Sequence, residues 1–180
     1  MFIDKDHSDK ILEWALANES LIKYREEIAA EKSQSGHIGW ENGGYIMHLE
    51  KEEEKWVELD FPFKSLNLIN HSILKEYGIP QDAEKAFMGW ILMYVESDYV
   101  CKWHKDHNPS TSNKLHTRFN AMICKPETGG MPIFLIDGKE EIVEVEEREV
   151  WKSEAGKYKH STTPMTGTKP RILLSLGYYI

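Results

Sequence analysis

The 180-residue chain carries only two cysteines, Cys101 and Cys124. Two thiols cannot build a disulfide framework, so both are expected as reduced, buried groups of a cytoplasmic protein. Long apolar runs are missing too. The longest, Trp90 to Val95, is far short of the roughly 20 residues that a membrane helix needs. The opening Met1-Phe2-Ile3-Asp4-Lys5-Asp6 lacks the basic-then-apolar order of a secretory signal. Positive charge is in the minority, and the formal net charge is -8. Such a chain repels phosphate backbones, which disfavours nucleic acid and favours a basic or neutral partner. The local cluster Lys102, Lys105, Lys114 and Arg118 suits small anions or solubility. Internal repeats and low-complexity linkers are absent. What remains is an ordinary globular balance, 41% hydrophobic and 29% charged, in a length that fits one domain with a concave site.

The texture changes along the chain. In the first part, residues 1–80, Ile11, Leu12, Ala15 and Leu16 form a helical stripe, with Ser8 as a candidate cap. The stripe continues through Leu21, Ile22, Tyr24, Arg25 and Ile28, until Gly36, Gly39, Gly43 and Gly44 break it. A second helix is predicted from Ser65 to Tyr77, stopped by Gly78 and Pro80. From residue 86 the pattern is that of strands. Phe87 to Val95 reads as a buried strand. His116 to Cys124 alternates, with His116, Arg118 and Asn120 on one face and Phe119, Ala121 and Ile123 on the other. Pro132–Ile136 and Glu141–Val145 flank Asp137-Gly138, a hairpin signal. Arg171 to Ile180 is a last strand that puts Arg171, Leu173 and Ser175 opposite Ile172, Leu174 and Leu176. Many short strands after a helical leader predict a mainly β fold, a double-stranded β-helix or jelly roll backed by N-terminal helices.

Eight histidines are present. Most, such as His7, His37, His48 and His71, have no partner pattern. His104 differs, because Trp103-His104-Lys105-Asp106-His107 puts an imidazole and a carboxylate two residues apart. In an extended strand both point to one side and can reach one cation of the Fe(II), Mn(II) or Zn(II) kind. His107 faces the other way. A third ligand has to come from elsewhere. His160 lies 54 residues beyond Asp106, and Arg171 lies 11 residues beyond His160. Pro164 and Gly167 suit a turn between two antiparallel strands that would bring His160 and Arg171 together.

His-x-Asp, a distal His and an Arg about ten residues on resemble the 2-oxoglutarate/Fe(II) oxygenase superfamily, over roughly residues 86 to 180. The resemblance implies a facial triad of His104, Asp106 and His160 on Fe(II), with open positions for 2-oxoglutarate and O2. It implies oxidative decarboxylation to succinate and CO2, coupled to hydroxylation of a protein or peptide side chain or an amino-acid-like small molecule. Arg171 would clamp the distal carboxylate bidentately, with Ser175 adding a hydroxyl. His116, Arg118 and Tyr94 are further candidates for the oxo-acid, and Asn120 and Trp103 for the substrate. The His116/Arg118 pair resembles the aspartyl/asparaginyl β-hydroxylase branch. Asp106 fits the prolyl-hydroxylase-like relatives, and the branch stays open. The polar loop Asn108–Asn113, and Gly39–Gly44 with Trp40 and Tyr45, are candidate lids.

Two rivals keep parts of this pattern. A cupin-like isomerase or lyase needs the three metal ligands but not Arg171. A non-catalytic jelly-roll binding module needs neither.

Overall fold

The computed structural model describes residues 1–23, 44–50, 53–97, 101–108 and 113–180. The predicted helical stretch through Tyr24, Arg25 and Ile28, with Gly36, Gly39, Trp40 and Gly43 and residues 109–112, lies outside them.

Helix α1 spans Lys5–Ala17. Its cap is Asp4 and not Ser8: the Asp4 carboxylate accepts the backbone N–H of Asp6 at 3.0 Å and of His7 at 3.3 Å. Donors at the first turn have no helical partner, and a carboxylate there satisfies them. Ser8 is buried inside the helix, and the buried stripe is Ile11, Trp14 and Ala15, with Leu16 exposed. A short helix α2 spans Glu53–Val57 and buries Trp56. Helix α3 spans Phe63–Glu76, ending ahead of Gly78 at φ +65°.

The described residues form eight strands: β1 Gly44–His48, β2 Lys85–Val95, β3 His116–Cys124, β4 Pro132–Ile136, β5 Lys139–Ile142, β6 Val150–Ser153, β7 Lys159–Thr162 and β8 Arg171–Tyr179. Gly44, read as loop, opens β1. Antiparallel pairs form a larger sheet, β1-β2-β8-β3-β6, and a smaller one, β5-β4-β7. The hairpin β4–β5 is tighter than predicted. Asp137 at φ +50° and Gly138 at φ +78° make a two-residue turn, so Ile136 pairs directly with Lys139 and β5 begins before Glu141. His160 and Arg171 are not neighbours across a hairpin. β7 belongs to the smaller sheet and β8 is the middle strand of the larger one.

Alternation along the large sheet makes two layers of core. Trp90, Leu92, Tyr94, Phe119, Ala121, Ile172, Leu174 and Tyr178 pack under the helices with Ile11, Trp56, Leu66 and Ile73. Ile91, Met93, Met122 and Leu173 point the other way, toward Met131, Met165 and Trp151. Each fully buried side chain of this size contributes about 1.5–3 kcal/mol. The mainly β, jelly-roll architecture predicted from the sequence is the one observed.

One polar chain crosses the helical layer. Tyr178 Oη donates to Asn70 Oδ1 at 2.6 Å and accepts from Trp90 Nε1 at 3.0 Å. Tyr178→Phe leaves the indole N–H and the amide oxygen buried without that partner. Urea unfolding should show a loss of about 1–3 kcal/mol; an unchanged midpoint would mean that the chain is not held by this hydroxyl.

Candidate metal centre

The segment 101–108 is extended but is not a strand of either sheet. It is held along the edge of β7 by a reciprocal bridge: His104 N–H donates to His160 O at 3.1 Å, and His160 N–H to His104 O at 2.8 Å. Three further bonds fix its ends. Cys101 N–H donates to Thr162 Oγ1 at 3.3 Å, Ser161 Oγ to Cys101 O, and Asp106 N–H to Ala155 O at 3.0 Å. Asn108 closes the segment, accepting from His116 N–H at 2.9 Å and donating to Gly156 O at 2.6 Å. The two-residue spacing therefore works as expected, although the support is a bridge and not a sheet.

The bridge puts the His104 and His160 rings 4.2 Å apart at their centroids. Asp106 Oδ1 is 3.8 Å from His104 Nε2 and 3.9 Å from His160 Nε2. One ligand atom from each of the three lies within 4.8 Å of the others. Each imidazole is oriented from behind. His104 Nδ1 lies 2.8 Å from Lys102 O, and His160 Nδ1 lies 3.2 Å from Tyr158 O. With both Nδ1–H groups donating to carbonyls, both Nε2 lone pairs face Asp106, the arrangement of metal-ligating histidines. Burial, with His104 alongside, pushes the His160 pKa down and favours that neutral form.

Arg118 lines the cavity but pairs with Asp106, and His116 lies outside the cavity. Arg118 Nε donates to Asp106 Oδ2 at 2.9 Å, and Arg118 Nη1 to Ser175 Oγ at 3.2 Å. The guanidinium thus orients the candidate metal-ligating carboxylate through Nε, while its Nη2 keeps no partner among the described residues. Burial opposes ionisation of Asp106, but Arg118, His160 and His116 outweigh it and hold the carboxyl below its ordinary pKa. Its Oδ1 remains for a cation. His116 is buried behind Asp106, with Nε2 3.6 Å from Oδ2, its Nδ1 3.1 Å from His107 O and its ring edge-on to Tyr179. It does not line the cavity.

The histidines and Asp106 open on a cavity of about 110 Å³ between the two sheets. Arg171, Ser175 and Asn120 line it, as their shared strand faces predicted. Arg171 is 4% exposed, and its Nε has no hydrogen-bond partner. Among the described residues no carboxylate lies within ion-pair distance of it. Burial lowers its pKa to about 10, with Cys101 opposing part of that shift. A buried guanidinium without a counter-charge is costly, and a bound anion offsets the cost. Its stem is also fitted closely: a Cβ on Gly130, at φ +68°, would come 3.1 Å from Arg171 Cδ.

Two predicted contacts fall outside the cavity. Tyr94 packs in the helical layer, where it hydrogen-bonds Glu19 and lies under Lys23 Nζ, because its strand position has the parity of Leu92 and not of Met93. Trp103 is 43% exposed and lines an outer groove with Ile142 and Pro164. Adjacent residues of an extended segment point oppositely, so Trp103 faces away when His104 faces in. Sequence reasoning missed Ser153 and the carbonyls of Lys102 and Tyr158. Backbone acceptors leave no trace in a sequence, and Ser153 sits on a strand, Val150–Ser153, too short to carry a pattern.

No family model matches the chain, and no curated protein matches it in sequence. Solved structures do match in fold. A prolyl hydroxylase from Trichoplax adhaerens, in complex with a hypoxia inducible factor oxygen degradation domain peptide fragment, aligns with TM-score 0.64 at 13% identity, over 99% of this chain and 80% of that one. AviO1 from Streptomyces viridochromogenes aligns with TM-score 0.60 at 13% identity, over 99% of this chain and 86% of that one. The chain therefore has a prolyl-hydroxylase-like jelly-roll fold, the fold expected of a 2-oxoglutarate/Fe(II) oxygenase.

The surroundings of Asp106 set a pH dependence. Burial and then Arg118 lower the His116 pKa from 6.5 to about 4. Through that window the unfolded chain binds a proton that the folded chain does not, so stability falls as pH falls. His116→Gln should remove about 2 kcal/mol of the stability lost by the metal-free protein between pH 7 and pH 4.5. Urea unfolding at the two values measures it, and an unchanged loss would contradict a buried neutral imidazole.

Proposed function

We propose that the chain is an Fe(II)- and 2-oxoglutarate-dependent dioxygenase that hydroxylates a peptide side chain or an amino-acid-like small molecule. The observation that carries this reading is the unpaired, buried Arg171 in the same cavity as the His-Asp-His cluster. A metal site alone fits many enzymes. A metal site that shares a cavity with an unneutralised guanidinium fits a chelating dicarboxylate.

The donor set suits the ion. Two neutral imidazoles and one carboxylate form the three-ligand face of non-haem iron oxygenases, with positions left over. His104, Asp106 and His160 would hold the iron, and Arg171 the distal carboxylate of the oxo-acid through paired N–H donors. The Ser175 hydroxyl accepts from Arg118 and keeps its own proton to donate to the oxo-acid. Bound there, iron with 2-oxoglutarate and O2 supplies oxidative decarboxylation to succinate and CO2, coupled to oxidation of a substrate C–H bond.

The chain's own groups do the rest. Arg118 keeps Asp106 ionised and turned. The Lys102 and Tyr158 carbonyls keep both imidazoles aimed. Met93, Leu173, Met165 and Phe134 line the cavity with apolar surface and exclude water. The peptide bound to the Trichoplax adhaerens prolyl hydroxylase supports a peptide substrate for this chain too.

Succinate release with Fe(II) and 2-oxoglutarate tests the proposal. The parent chain should turn over 2-oxoglutarate. Arg171→Ala should raise the 2-oxoglutarate requirement by 30-fold or more, since removing a buried charged partner costs about 2–5 kcal/mol. Its iron requirement should change far less. Absence of succinate in the parent, or equal shifts in both requirements, would refute the assignment.

A further inference from the structure

The cavity's two flanks differ chemically. β8, the middle strand, carries Arg171, Leu173 and Ser175. On one side β1 and β2 contribute Ile46, Ile91 and Met93, which are all apolar. On the other side β3 and β6 contribute Arg118, Asn120 and Ser153. Asn120 stands opposite Ser175 and Trp151, and Ser153 stands opposite Arg118. Asn120 is 6% exposed and Ser153 is 5% exposed, yet neither side chain has a hydrogen-bond partner among the described residues. Arg118 spends Nε on Asp106 and Nη1 on Ser175, which leaves Nη2 buried and unpartnered. Buried polar groups are nearly always satisfied, so the unsatisfied Arg118 Nη2, beside the cavity-lining Asn120 and Ser153, asks for a ligand.

The charge of the wall restricts that ligand. Asp106 is the one carboxylate among the described residues lining the cavity, and Arg118 already neutralises it. Arg118 and Arg171 leave the space with an excess of positive charge before any metal enters. The net charge of -8 therefore misleads about the site: away from the three candidate metal ligands, Arg118 and Arg171 make its interior unfavourable for a cationic side chain.

We propose that the β3/β6 wall is the anchor for the second substrate, and that this substrate is neutral or anionic and presents an oxygen acceptor to Asn120, Ser153 and Arg118 Nη2. The acceptor is a carboxylate or an amide carbonyl. Amine and guanidine side chains are excluded as the anchored group. This rests on the oxygenase reading, because it takes the β8 line between the metal and Arg171 as the place of the oxo-acid.

The test uses three small probes of similar size: acetate, acetamide and ethylammonium. Calorimetry first measures Mn(II) binding, then 2-oxoglutarate binding to the Mn(II)-loaded protein under nitrogen. Each probe is then added, and the relaxation of its protons by bound Mn(II) is read by NMR. Acetate and acetamide should relax strongly, and ethylammonium should stay at background. Ser153→Ala and Asn120→Leu should each weaken the acetate and acetamide effects about fivefold, the loss of one hydrogen bond. Their 2-oxoglutarate dissociation constants should stay within about twofold of the parent, less than one such bond is worth. Equal relaxation of ethylammonium overturns the proposal, as does acetate relaxation that neither substitution weakens. A tenfold weaker 2-oxoglutarate affinity in either variant assigns the wall to the oxo-acid and overturns it too. Failure of Mn(II) and 2-oxoglutarate to bind in the first titration is a different result, and it removes the oxygenase reading itself.

Discussion

Two backbone hydrogen bonds, exchanged between His104 and His160, hold the candidate site together. They tie the irregular segment carrying His-x-Asp to the edge of the smaller sheet. They bring the Asp106 carboxylate and the His160 imidazole to within 3.9 Å of each other. Everything around the bridge reinforces it: Ser161 and Thr162 grip Cys101, Ala155 grips Asp106, and Asn108 ties off the end. The candidate ligands are thus hydrogen-bonded to their neighbours at both ends of the segment, which favours a fixed geometry for the imidazoles and the carboxylate.

The electrostatics follow from that placement. Asp106 is buried, so its charge needs compensation within the fold, and Arg118 supplies it from the neighbouring large sheet. Arg118 in turn is anchored to Ser175 on β8. One salt bridge therefore links the metal-ligand segment to the sheet that carries Arg171. The same sheet leaves Arg171 without a counter-ion among the described residues. An acidic protein has built a cationic interior, and the surface charge says little about what enters it.

Much of this was legible in the sequence. Period-two alternation located His116–Cys124 and Arg171–Tyr179 and assigned the faces of Arg118, Asn120, Arg171 and Ser175 correctly. The spacing of His104, Asp106 and His160 identified three groups that the fold brings together. Alternation fixes parity but not partnership. It could not say that Arg118 would turn to Asp106 or that His116 would be buried behind it, because those contacts join different elements. Tyr94 was assigned to the oxo-acid against the parity of its own strand. The sequence pattern around His104 suggests a strand, but the backbone bonds of the segment depend on β7 and the 154–158 loop, which the pattern does not reveal. Asp4 and Ser8 are both capping residue types, and only the fold decides that Asp4 meets the free N–H groups.

The convergence of three distant side chains on one ion is the claim on which the rest stands. A crystal structure of the chain grown with Mn(II), with the ion located by its anomalous scattering, tests it most directly. The account predicts one ion per chain, bonded to Nε2 of His104, Nε2 of His160 and an oxygen of Asp106, with Arg118 still on the other carboxylate oxygen. Manganese bound elsewhere, or a His160 imidazole turned away from the ion, would contradict it.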